Sequence, residues 1–96
     1  MHKLDLVDAV ADKSGLTKKD SKKAVDAVIE SIQETLSSNE KVSLKGFGTF
    51  DVRRRSARKG RNPATGEEME IPATYVPGFR AGKTLKETIK ENLSEE

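Results

Sequence analysis

The sequence predicts an α+β fold: two N-terminal helices, an antiparallel sheet carrying a long protruding β-ribbon arm, and one C-terminal helix. Three observations predict it. Apolar residues recur at helical spacing from Lys3 to Leu36, alternate with polar ones from Val42 to Val52, and return to helical spacing after Gly82. Ninety-six residues make one domain, expected over 1–96.

The first helix is expected from Lys3 to Ser14, with Leu6, Val7, Val10 and Ala11 on one face and Gly15 at its C-terminal end. Thr17 opens the second helix, with Asp20 three residues on as a short version of the capping box. Val25, Val28, Ile29, Ile32 and Leu36 form its apolar stripe, and Lys18, Lys19, Lys22, Lys23, Asp26, Glu30 and Glu34 fall largely off it. Ser37, Ser38 and Asn39 end it.

Val42 and Leu44, a turn at Gly46-Phe47-Gly48, then Phe50 and Val52 read as two antiparallel strands. Beyond Val52 nothing breaks the strand before Gly60, yet neither face of residues 53–59 offers anything larger than Ala57 to bury. A strand polar on both faces cannot lie on a core, so it projects. Asn62-Pro63-Ala64-Thr65-Gly66 is turn chemistry, and the chain returns through Glu67 to Tyr75. This reading places Arg58 near Glu70 and Arg61 near Glu67. Val76-Pro77-Gly78-Phe79 reads as another turn, followed by a helix with Leu85, Ile89 and Leu93 on one face.

Charge is unevenly placed. Arg53, Arg54, Arg55, Arg58, Lys59 and Arg61 lie within 53–61 with no acid among them; the remaining 12 basic residues are outnumbered by all 16 acids. An acidic body bearing one basic segment points to a polyanion. Arginine suits that partner, because its planar fork bonds phosphates and base edges. Only 21 residues are Leu, Ile, Val or Phe, and there is no cysteine. So small a core, with no disulfide, is usually completed by a second subunit. Phe47, Phe50 and Phe79 are the expected dimer core.

Other chemistry is poorly supported. Gly78-Phe79-Arg80-Ala81-Gly82-Lys83-Thr84 resembles a phosphate-binding P-loop, but has three residues between its glycines where that loop needs four. What survives is a helix N-terminus beside Lys83, a place for one backbone phosphate. His2 is the single histidine, and the carboxylates show no metal-ligand spacing. No enzyme, metal or cofactor is expected. No apolar run approaches the ~20 residues of a membrane span and no signal-peptide core follows Met1, so a soluble, cytoplasmic protein is expected.

Lys45-Gly46-Phe47-Gly48-Thr49-Phe50, Arg58-Lys59-Gly60-Arg61-Asn62-Pro63-Ala64-Thr65-Gly66, and Val76-Pro77-Gly78-Phe79 with Gly82-Lys83 resemble the HU/IHF family of bacterial architectural proteins, in particular its HU branch. The resemblance runs from Lys3 to about Leu93. It implies an intertwined homodimer: a helical base over 1–40, a saddle sheet over 41–52 and 71–79, a DNA-binding arm over 53–70 and a C-terminal helix over 82–93. It implies arm contacts from Arg53, Arg55, Arg58, Lys59, Arg61 and Asn62, an intercalating Pro63, and phosphate contacts from Lys3, Arg80, Lys83 and Lys86. Its expected partner is double-stranded DNA, nicked or distorted DNA included, bound through the minor groove with little sequence preference and bent, so that the nucleoid is compacted. HU and IHF bind DNA as minor-groove architectural proteins.

Two departures from the family pattern stand out. His2 and Leu4 replace an Asn and a Ser or Thr at the start of the first helix, and Glu67, Glu68 and Glu70 occupy a return strand that often carries lysine. The acids are expected to reduce phosphate contact from that strand. An IHF-like, sequence-preferring subunit and a β-ribbon RNA-binding module are the competing readings.

Overall fold

The computed structural model describes residues 1–93. The domain expected over 1–96 is therefore described as far as Leu93, and 94–96 lie outside the described residues. In chain order the elements are α1 (Lys3–Ser14), α2 (Lys18–Ser37), β1 (Val42–Leu44), β2 (Gly48–Arg55), β3 (Arg58–Arg61), β4 (Glu68–Ile71), β5 (Thr74–Ala81) and α3 (Lys83–Asn92).

Both N-terminal helices start where a side chain can take up an unpaired backbone N–H. At α2 the Thr17 hydroxyl accepts from the Asp20 N–H at 3.1 Å. At α1, where the usual capping residues are missing, Asp5 supplies a bond itself: its carboxylate accepts from the His2 N–H at 2.9 Å. Gly15 closes α1 at φ 76°, where other residues are strained. The two helices bury Val7, Ala11 and Val25 between them, with Ser21 fully enclosed.

The body sheet has the order β1-β2-β5, all antiparallel. The turn expected at Val76-Pro77-Gly78-Phe79 is not there: those residues run straight through β5, paired with β2 from Gly48↔Ala81 to Arg55↔Thr74. Pro77 is compatible with a strand because β5 is an edge, where a missing N–H costs no ladder bond on the open side. The sheet therefore continues past Val52 to Arg55.

Beyond Arg55 the pairing lapses at Ser56-Ala57 and Pro72-Ala73, then resumes as the two-stranded β3–β4 ribbon. Thus the strand does break before Gly60, opposite a proline that cannot donate to the ladder. Arg55↔Thr74 and Arg58↔Ile71 are separated by two residues on each strand, so neither strand carries an extra residue across the gap.

The expected cross-strand pairs are shifted by one. Arg58 faces Ile71, Lys59 faces Glu70, Gly60 faces Met69 and Arg61 faces Glu68. The tip explains the shift. Asn62 belongs to the ladder, its N–H bonding the Glu67 carbonyl at 2.9 Å, and the loop is the four residues 63–66.

Finally, α3 is tied to the β1–β2 turn: the Gly82 N–H bonds the Phe47 carbonyl at 2.8 Å and the Leu85 N–H bonds that of Gly46 at 3.1 Å. The radius of gyration is 19.1 Å, against about 12.5 Å for a compact domain of this length. The chain exposes 8255 Å², about half as much again as a compact monomer of its mass. Part of that excess is the ribbon. Part is apolar: Leu6, Val28, Ile29, Phe47 and Phe79 all stand exposed.

Candidate nucleic-acid interface

Alternation along the strands sorts the basic residues. In the body sheet Arg53 and Arg55 of β2 share a face with Arg80 of β5, because Thr49 pairs with Arg80 and Asp51 with Gly78. Beyond the lapse at Ser56-Ala57, Lys59 and Arg61 share one face of the ribbon with Glu68 and Glu70, and Arg55 and Arg58 border one shallow depression. The opposite face of the body sheet carries Phe50, Val52, Pro77 and Phe79. One face of the body sheet thus gathers Arg53, Arg55 and Arg80, and the other is apolar as far as Val52 and Pro77, with Arg54 and Tyr75 beyond them.

The residues singled out in the sequence fall into three groups. Arg55, Arg58, Lys59 and Arg61 are exposed and make no ion pair within 4 Å among the described residues. Although Glu68 and Glu70 face Arg61 and Lys59 in register, their carboxylates do not close on them. These four cations are available to an outside anion.

A second group is already engaged. Lys3 on α1 lies 2.6 Å from Asp26 of α2, which Lys22 also approaches at 3.2 Å. These two ammonium groups, Lys3 first, hold the Asp26 carboxyl below its ordinary value. Arg53 and Arg80 both meet Asp51, at 3.2 and 3.3 Å. Lys83, at the first turn of α3, lies 4.0 Å from Glu87, a loose and exposed pair. Lys3 is on the helical base, so the ribbon does not collect every expected contact.

The third group is the tip. The Asn62 side-chain oxygen accepts from the Ala64 N–H at 2.9 Å, and the Gly66 N–H bonds the Asn62 carbonyl at 2.7 Å. Asn62, expected as an arm contact, thus uses its side-chain oxygen to build the turn. Gly66 takes φ 74° and lets the loop close. Pro63 is left exposed at the outer end of the ribbon.

Two residues were missed. Lys45 lines the same shallow depression as Arg80 and Lys86, beside Ser43 and Thr49. It lies in a turn, outside the basic run, and only folding brings it there. Asp51 is 8% exposed, and its position two residues before Arg53 was the available signal. The P-loop resemblance fails structurally as well, since Gly78-Phe79-Arg80-Ala81 is paired strand rather than a loop of free N–H groups.

Phe79 stacks obliquely against Phe47 at 5.5 Å and Phe50 at 4.7 Å between ring centres. Phe47 and Phe79 remain 46% and 41% exposed. An aromatic cluster so open is a half-built core. No group of metal-ligating side chains and no helix long and apolar enough to cross a membrane occurs among the described residues.

The family described as bacterial DNA-binding protein matches residues 1–90. This chain belongs to the bacterial HU family. DNA-binding protein HU of Geobacillus stearothermophilus is 62% identical over 90 residues, covering 94% of this chain and all of that one. The HU of an Anabaena HU–DNA cocrystal structure superposes with a TM-score of 0.89 at 54% identity, covering 93% of this chain and 97% of that one. HU from Thermotoga maritima superposes at 0.68 with 38% identity, over 94% and 100%. HU proteins are structural DNA-binding proteins, and this member is not an enzyme.

Proposed function

We propose that this HU-family protein binds double-stranded DNA with little sequence preference, as a homodimer whose two ribbons follow the minor groove, and bends it to compact the nucleoid. The carrying observation is the run of exposed cations from Arg80, Arg53 and Arg55 on one face of the body sheet to Arg58, Lys59 and Arg61 on the ribbon, which ends at an exposed proline. Arginine in a narrow minor groove is favoured by the negative potential there. Pro63 wedges between base pairs, as in minor-groove architectural proteins, HU among them. Nicked or distorted DNA is bound too, because less stacking has to be broken. No cofactor is required.

Homodimerisation is supported by the open aromatic cluster and by Leu6, Val28 and Ile29, which remain exposed along the helices. A salt-resolved FRET titration of an end-labelled duplex tests the reading, since it reports binding and bending together. Rising transfer with steep salt dependence is expected. Binding without end-to-end shortening rejects bending, and equal affinity for duplex RNA, whose grooves differ, rejects the DNA reading. Pro63→Ala is expected to reduce the bend more than the affinity; an unchanged bend removes the wedge.

A further inference from the structure

We propose that Asp51 is a positioning residue, which presents Arg53 and Arg80 as a paired cradle for one backbone phosphate, and that Gly78 is the residue that makes room for it. The proposal rests on the reading that this face of the sheet meets DNA.

The two oxygens of Asp51 are used separately. Oδ1 accepts a hydrogen bond from Nε of Arg53, on its own strand, at 3.2 Å, and Oδ2 forms an ion pair with Arg80, on the neighbouring strand, lying 3.3 Å from its Nε. A carboxylate that simply neutralised an arginine would take its fork with both oxygens. Here each guanidinium meets a different oxygen, through its inner nitrogen. The terminal nitrogens, with four N–H donors on each arginine, remain for another anion. The side chains fit that division: Asp51 is 11% exposed, Arg53 54% and Arg80 63%. One carboxylate between two guanidiniums leaves the trio with a net charge of about +1, still attractive to phosphate.

The facing strand supplies an independent observation. Gly78 is the register partner of Asp51. A Cβ at Gly78 would stand 2.6 Å from Asp51 Oδ1 and 2.6 Å from Arg53 Nε, the two atoms of that bond. The φ of Gly78 is not in the left-handed region, so the backbone does not demand glycine there. Space for the ion pair does. Long arginine side chains lose rotamer freedom when they bind. Fixing them beforehand reduces that cost, which is how an acid on a DNA-facing surface can strengthen binding.

Charge count and positioning predict opposite signs, and this makes the test sharp. Asp51→Asn adds one unit of positive charge. By charge alone the full-length protein would bind duplex DNA more tightly, with a steeper dependence of log K on log salt. Under the proposal affinity falls and the slope becomes shallower by about one unit, one phosphate contact. Gly78→Ala, which changes no charge, is expected to give the same loss, and the double variant no more than either single one.

Thermal melts confirm that each variant is folded at the assay temperature. Should Asp51→Asn not fold, Gly78→Ala carries the test, together with NMR relaxation of the arginine Nε–H groups in the free wild type. Restrained Arg53 and Arg80 Nε–H groups support the cradle, and freely mobile ones overturn it. Arg53→Ala and Arg80→Ala separate the two levels. If neither weakens binding, the reading of this face as a DNA surface fails. If both do while Asp51→Asn binds as well as or better than wild type, only the positioning role fails.

Discussion

The helical base and the distal ribbon come from one chain but solve opposite problems. The base has apolar surface to spare and buries little of it: Val7, Ala11 and Val25 are its whole buried apolar set among the described residues. The β3–β4 ribbon has almost none to bury, and is held by its ladder, its four-residue tip and the side chain of Ile71 lying over Gly60. Each region therefore lacks a different partner. The base lacks a hydrophobic one, whose gain is area removed from water. The ribbon lacks an ionic one, whose gain is released counterions and depends on salt. Stability and binding should accordingly respond to different variables.

The largest expected effect is on the body sheet, where the open aromatic cluster shares the base's lack of an apolar partner. Phe79→Ala removes the ring that links Phe47 to Phe50 and is expected to cost about 3–5 kcal/mol. Urea unfolding followed at several protein concentrations checks it, because a shared core makes the wild-type midpoint rise with concentration. A midpoint independent of concentration would break the comparison, leaving the base complete on its own.

On the ribbon, Arg58→Ala or Arg61→Ala should weaken binding to all duplexes alike and flatten the salt slope by about one unit each. The melting temperature should hardly move, since both side chains are exposed and unpaired within the described residues. A large loss of stability would show that the ribbon is part of the core after all.

Ser21→Ala sharpens the picture of the base. The Ser21 hydroxyl is fully buried between α1 and α2 without a hydrogen-bond partner. Removing it should stabilise the protein by about 1 kcal/mol, raising the melting temperature by roughly 4–8 °C. Unchanged DNA affinity is expected, and a lower melting temperature would refute the account.

The smallest effect concerns Asp26. Its native pKa is depressed by Lys3 and then Lys22, so its contribution is present above the unfolded carboxylate value of about 3.9 and is lost as pH falls through the lower native value. Asp26→Asn should therefore lower the urea midpoint at pH 7 and make little difference near pH 2. An equal gap at both pH values would remove the ion pair as the cause.

Much of this was legible without coordinates. Helix limits followed from caps and spacing, since Thr17, Gly15 and the period of Val25 to Leu36 act within a turn or two of chain. The basic run and the Asn62–Gly66 turn were equally plain. The one-residue error in the ribbon register had a local cause: whether Asn62 is the last ladder residue or the first loop residue depends on hydrogen bonds that composition does not reveal. The false turn at Val76-Pro77 had a longer-range one. Proline reads as punctuation until the neighbouring strands show that its open side faces no partner.

The sequence by itself determined the order of elements, the existence of a basic projecting ribbon and the shortage of core, because propensity, periodicity and charge are properties of neighbours along the chain. Only the tertiary structure decided which cations are free and which are held. Asp51 reaches Arg80 across 29 residues of sequence, and Lys3 reaches Asp26 across 23. Such pairs form where backbones cross, so their geometry is set by register and packing, and no local pattern announces them.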